Sequence, residues 1–216
     1  QFEIKSRNRQ GICVFCCWLL HMAAAPQPLR IGGVSNVAKG AAFIVPNAVV
    51  DKPLIVCGTD RRGRPVLIAR PSLHVAATED ESMRAVEECM KTVRFALQWL
   101  PDGEQRLLAV FDLKETGCEH LDMTFSQTMV ETLNRELPNR LDTVAVVNGH
   151  WSVHAAWSAI QFFLDADTQE RIHFYDELNE LEQYIDGDHP YMKRLRTEEK
   201  EQGAKLADEP ESWSWW

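Results

Sequence analysis

Two short apolar runs, Leu107-Leu-Ala-Val-Phe-Asp-Leu113 and Val144-Ala-Val-Val147, flank an amphipathic stretch, and this alternation limits the possible folds more than any other feature of the chain. Each run is too short for a helix and lacks polar alternation, so each reads as a strand covered on both faces. Between them, Thr124 to Glu136 carries Phe125, Met129 and Leu133, with Leu137 one step beyond, before Pro138 closes the segment. That spacing and stop describe a helix. A strand, a helix and a strand in succession call for parallel neighbours joined by a crossover, hence an α/β fold with a mixed, largely parallel sheet covered by helices.

The same pattern extends in both directions. Leu54-Ile-Val-Cys57 and Val66-Leu-Ile-Ala69 read as short strands, with Asp60-Arg-Arg-Gly63 as the turn between them and Pro65 at a strand start, where its missing N–H matters least. Thr78-x-x-Glu81 is a capping box, and Met83, Val86, Met90, Val93, Leu97 and Leu100 then mark one helical stripe before Pro101-Asp-Gly103. Trp151 to Leu164 forms a second strongly apolar helix pattern, with Val153, Trp157, Ile160 and Leu164 on one stripe and Ala156 and Phe163 beside it. Ile172 to Tyr175 reads as a strand, and Asp176 to Ile185 as a helix with Leu178, Leu181 and Ile185 turned inward. Residues 23–50, with Pro26, Pro28, Gly32, Gly33, Gly40 and Pro46 among small residues, show neither period and read as loop or linker, so 1–50 is a non-domain or disordered segment and 51–190 the domain. Residues 191–216 read as a charged tail, a solvated helix or coil ending in Ser212-Trp-Ser-Trp-Trp216. Those tryptophans are either a frayed end or a contact for a protein partner.

Charge narrows the partners. The chain has 32 Asp+Glu against 23 Lys+Arg, a net charge of -9. From Asp176 onward there are 12 acidic and 5 basic residues, which leaves 20 and 18 before it, so the body is nearly neutral. Such a surface does not suit nucleic acid, whose affinity comes from neutralising phosphates. Arg61, Arg62 and Arg64 make a small basic turn, read as a solvated loop or a contact with an anionic lipid surface. The apolar run Ile12 to Met22 follows Lys5, Arg7 and Arg9. It is shorter than the roughly 20 residues a membrane helix needs, and it reads as a secretory signal, an upstream extension or a fragment boundary.

Six cysteines are present: Cys13, Cys16 and Cys17 crowd the N-terminus, while Cys57, Cys89 and Cys118 are scattered. No disulfide framework or zinc spacing emerges, which points to a reducing, cytoplasmic setting. His150 and His154 stand four apart with Asp165 and Asp167 downstream, but no third ligand accompanies them, so no metal or cofactor is expected. Asp165 reads as a cap for the next turn. The nucleotide, zinc-protease and esterase motifs are missing, and no nucleophile, base and orienting group stand together, so the chain does not read as an enzyme.

Three stretches resemble the CRAL-TRIO lipid-binding family. Asp60-Arg-Arg-Gly-Arg-Pro-Val-Leu-Ile-Ala69 is similar to its D-x-x-G-R-P-V strand entry, and Val110-Phe-Asp-Leu-Lys114 resembles its central D-L-x-G strand, with Glu115 at the usual glycine. Leu137-Pro-Asn-Arg to Asn148, followed by Trp151 and Phe163-Leu-Asp165-x-x-Thr168, resembles its Y-P-E-R…N and F-L-D-P-x-T segments. The resemblance implies an apolar pocket under a mobile gate helix at Trp151 to Phe163, lined by Ile68, Val110, Val146, Trp151, Trp157, Ile160, Phe163 and Leu164. It implies a phospholipid or other hydrophobic small molecule as ligand and a membrane as transient partner. Gln161 stands where phosphatidylinositol binders of the family carry Lys, and Phe162 replaces the Pro.

A two-chain lipid has on the order of 30 methylenes at about 0.8 kcal/mol each, so a protein that offers it an apolar pocket speeds transfer without a catalytic group. The alternative is a divergent protein-interaction scaffold of the related BCH type. A cavity beneath the gate helix of about 300 Å³ or more supports the ligand reading, and a filled core supports the scaffold.

Overall fold

The computed structural model describes residues 52–117, 120, 122–149 and 166–208. The N-terminal segment, Cys118, His150, His154, Asp165, the whole Trp151 to Leu164 stretch and the terminal tryptophans lie outside the described residues. The chain runs as β1 (Leu54–Thr59) and β2 (Pro65–Ala69), an antiparallel pair whose turn uses Gly63 at a φ of +76°, a conformation that only glycine adopts cheaply. A 3₁₀ turn (Pro71–Leu73) leads to α1 (Glu79–Gln98). Then come β3 (Leu107–Asp112), α2 (Met123–Glu136), β4 (Leu141–Val147), the single-turn α3 (Ala166–Gln169) and β5 (Ile172–Tyr175). The sheet they form has the order β1-β2-β3-β4-β5, with β2 through β5 parallel. This is the mixed, largely parallel α/β sheet that the alternation of apolar runs and helical stripes predicts.

Helix α1 starts where its capping box places it. The Thr78 hydroxyl accepts from the Glu81 N–H, and the Glu81 carboxylate accepts from the N–H groups of Thr78 and Ala77. Val86, Met90 and Val93 are buried as their spacing requires, but Met83 is exposed. Ser82 takes the inward place in that turn, because its hydroxyl donates to Asp122 at 2.5 Å.

The period-two alternation of each strand divides the core into two layers. Leu67, Ala109, Phe111, Val144 and Val146 face α1 and α2. Val66, Ile68, Leu108, Val110, Ala145 and Val147 face the other way. That second face needs its own cover, and the chain beyond β5 supplies it. The helix expected over Asp176 to Ile185 is instead a 3₁₀ segment (Leu178–Gln183), whose start is set when the Glu180 carboxylate takes the N–H groups of Asp176 and Glu177. It still delivers Leu181 and Ile185 to the core.

The stretch after Pro190, expected to be a solvated helix or coil, is α4 (Pro190–Asp208), and its first turns are core. Tyr191, Met192 and Leu195 are buried against the second face. One turn further on, Lys114 donates to Glu198 at 2.7 Å, and Arg194 binds the same carboxylate. The helix is thus pinned by apolar contacts at its start and by ion pairs after them.

Candidate functional site

Between the sheet and helices α1 and α2 lies a mainly apolar cavity of about 170 Å³. Its floor includes Leu67, Ala109 and Val144, which stand side by side on β2, β3 and β4. Its roof includes Val93 from α1, and Met129 and Leu133 from α2. The space follows from side-chain size. Ala109 fills the central floor position between two larger neighbours, and Ala69 stands beside Phe111 at the strand ends, so the layer is short of atoms there. The volume exceeds the roughly 150 Å³ of an apolar cavity that accepts benzene but falls below the roughly 300 Å³ at which ordinary ligand pockets begin. The core on this side is therefore not filled, and the partly open space has room for about one ring or a short acyl segment.

Polar residues line the cavity at both ends. Toward the N-terminal ends of β4 and β5 these are Asn134, Asn139, Arg140 and Arg171; beyond the C-terminal ends of β2 and β3 they are His74 from one loop and Thr116 and His120 from the next. The His74 ring lies against Phe125, with centroids 4.2 Å apart, and its Nε2 bonds Asp122 at 2.9 Å. Asp122 also caps α2 by accepting the Phe125 N–H, and it accepts the Ser82 hydroxyl. Burial pushes the Asp122 carboxyl up, but these donors outweigh it and hold the group below the usual carboxylate range. Serine, histidine and aspartate meet here without forming a nucleophile and base, because Ser82 donates to the carboxylate rather than to the imidazole.

The motifs read separately from the sequence converge at the ends of β3 and β4. Asp112 is almost fully buried, and its Oδ1 accepts from Asn148 Nδ2 at 2.7 Å and from the Lys114 N–H. Arg70 lies 3.5 Å from the other carboxylate oxygen. The Asp of the β3 motif and the Asn that follows β4 thus bind each other, with Asn148 in the left-handed region at a φ of +55°.

Of the three arginines of the β1–β2 turn, Arg61 and Arg62 are exposed, as a solvated loop has them, and Arg64 departs from that reading. Arg64 is buried and bonds Asp60 and Asp142, each at 2.6 Å. Arg62 spans Glu104 and Asp142, and Arg61 pairs with Asp186. Burial acts to raise the Asp142 carboxyl, but the Arg64 hydrogen bond and charge, with Arg62 and Arg106 behind them, hold it low. The turn is a structural clasp, and its charge is spent on carboxylates far along the chain.

Of the residues expected to line the pocket, Ile68 and Val110 sit on the second face, packed with the residues of α4. Val146 lies on the cavity's face of the sheet. Trp151, Trp157, Ile160, Phe163 and Leu164 lie outside the described residues. The lining residues Leu67, Ala109 and Phe111 are the immediate chain neighbours of those named on β2 and β3. Alternation already separates the two sets, but it does not tell which face holds the space. Cys57 and Cys89 are free thiols. Among the described residues no three His, Cys, Asp or Glu are grouped to hold a metal, and no helix is long and apolar enough to cross a membrane.

The pattern of the CRAL/TRIO domain matches residues 50–190. A CRAL-TRIO domain-containing protein of Schizosaccharomyces pombe is 28% identical over 137 residues, covering 62% of this chain and 30% of the relative. The phosphatidylinositol transfer protein CSR1 of Eremothecium gossypii is 23% identical over 160 residues, covering 74% of this chain and 36% of the relative. The chain thus spans about a third of the length of these curated relatives. The crystal structure of Sfh5 superposes with a TM-score of 0.49 at 16% identity, over 66% of this chain and 54% of that one.

Proposed function

This chain belongs to the CRAL/TRIO domain family, and from that premise we propose that it binds a hydrophobic ligand, a phospholipid or another small lipid, in the cavity between the sheet and helices α1 and α2, and carries it between membranes. The observation that carries this reading is the unfilled apolar space in the layer where a stable core would be close-packed. Membership in a family with a phosphatidylinositol transfer protein among its relatives supports it at the level of lipid binding.

The function needs no catalytic group. Exchange of one apolar environment for another removes most of the cost of bringing a lipid tail through water. What it needs is a cover that opens, and the proposal gives that role to Trp151 to Phe163. Two parallel neighbours, β4 and β5, require a crossover, and right-handed crossovers are the rule. A right-handed crossover from β4 to β5 would run on the side of the sheet that carries α1 and α2, the cavity's side, and this supports giving it that role. Opening there would also enlarge a space too small for a two-chain lipid.

Purification from cells under gentle conditions, followed by extraction and lipid mass spectrometry, tests the reading. One lipid class at near-stoichiometric amount is the expected result, with Trp157→Asp reducing it more than Gln169→Ala at equal stability. A protein that emerges empty, and that moves no labelled lipid between vesicles, refutes it.

A further inference from the structure

We infer that the start of α4 is a pH-sensitive latch: protonation of His189 breaks the cap of this helix and loosens its first turns from the second face of the sheet. His189 immediately precedes Pro190, the first residue of α4, and its backbone carbonyl accepts the Lys193 N–H at 3.0 Å, the bond of a residue at the N-cap. Its side chain completes the cap. The Nδ1 atom accepts the Tyr191 N–H at 3.2 Å, so the neutral ring carries its proton on Nε2.

That ring is enclosed. His189 is 5% exposed, and a Cβ on Gly58 of β1 would lie 2.2 Å from Nε2 and 2.8 Å from Cδ2, so the imidazole rests edge-on against the strand backbone. Nε2 is buried with no hydrogen bond of normal geometry among the described residues, and the Cys57 carbonyl is the backbone acceptor that faces it. A second proton can enter only at Nδ1. It takes the lone pair that holds the Tyr191 N–H, sets two N–H groups against each other, and puts a charge in a buried position. Tyr191, Met192 and Leu195, the residues next along, bury α4 against Val66, Ile68 and their neighbours, so the cap and the docking of the helix are joined.

Three acids attract a proton to the ring: Asp188 and Asp186 of the same loop, and Asp60 of the β1–β2 turn. Arg61 binds Asp186 and Arg64 binds Asp60, which blunts two of them. From β1 comes the Cys57 thiol, and from α4 comes Arg194, which acts on that thiol. Burial outweighs the acids and holds the imidazole below its ordinary value. The unfolded chain therefore binds this proton more readily than the folded one. The stability gained from the neutral ring is complete above the unfolded value, near pH 6.5, and is lost as pH falls from there toward the folded value. That window is separate from the one of the carboxylates, whose unfolded values lie near 4.

Hydrogen exchange of the full chain, read by mass spectrometry between about pH 7.5 and 5.5 and corrected for intrinsic rate, tests the latch. Protection of peptides from Tyr191 to Leu195 is expected to fall about fivefold across that range, the opening that loss of one helix cap allows, while β3 peptides are unchanged. His189→Asn keeps an N-cap acceptor that does not titrate, and its α4 protection is expected to stay level with pH. NMR titration of the imidazole in the unaltered chain guards against a variant that folds poorly, since ring protonation and loss of α4 protection should share one midpoint. Equal pH profiles in the two chains, protection lost in β3 along with α4, or a ring that is protonated while α4 stays protected overturns the latch. Each of these leaves the cavity reading untouched.

Discussion

Adding the same three carbons to each face of the sheet should have opposite effects. Ala109 is 4% exposed at the centre of β3 and lines the cavity; Ala145 is fully buried on β4 and packs in the second layer against α4. Ala109→Leu places three carbons into space that is otherwise unfilled. At about 0.8 kcal/mol for each buried methylene equivalent, the gain is at most about 2.4 kcal/mol, less the cost of seating one rotamer. Ala145→Leu forces the same atoms into a close-packed layer, where overpacking costs about 1–3 kcal/mol. Urea unfolding of both variants with a shared slope gives the two free energies. Ala109→Leu should be neutral or stabilising and should reduce lipid uptake, whereas Ala145→Leu should be destabilising. If Ala109→Leu is destabilised as much as Ala145→Leu, and still binds lipid, the space seen under α1 and α2 is not where a ligand sits.

Two further tests address the frame around the site. A Cβ on Gly58 would lie 2.2 Å from the His189 Nε2, at a φ of +63° that only glycine adopts without penalty; Gly58→Ala should therefore cost about 1–2 kcal/mol in backbone strain, with the steric conflict added, measured by the same urea curves. The carboxyls of Asp122, Asp142 and Glu198 are all held below their ordinary values in the folded chain, in each case by hydrogen bonds and charges that outweigh the upward push of burial. The stability they contribute is complete above their unfolded values, near pH 4, and is lost as pH falls through the folded ones. Unfolding free energy should accordingly fall steeply below about pH 4, and a flat profile down to pH 2 would show that these contacts are not maintained in solution.

The legible part of this protein was what is encoded within a few residues. The apolar runs at β3 and β4, the Thr78/Glu81 box and the stripe from Val86 onward each reflect local periodicity or a local hydrogen bond, so they appear in the sequence where they appear in space. Asp112 and Asn148 were visible as separate motifs, and their contact across 36 positions was not. The Arg64 and Asp142 pair is similar: a charged triplet reads as solvent-facing until the partner, 78 residues away, is brought to 2.6 Å.

Only the assembled sheet decided the rest. Alternation along β2 and β3 separates Ile68 and Val110 from Leu67 and Ala109, but both sets are apolar, and which one borders unfilled space depends on how the opposing helices pack. Likewise, Tyr191, Met192 and Leu195 are a thin apolar signal in a charged stretch, and their burial follows from an apolar sheet face that they cover together with Leu181 and Ile185. Hydrophobic burial depends on area and not on chain position, so a short apolar patch becomes core wherever the fold presents a surface to receive it. The sequence by itself determined most of the elements, their order and the family; the tertiary structure decided which face of the sheet borders unfilled space, because that depends on how distant helices pack on it.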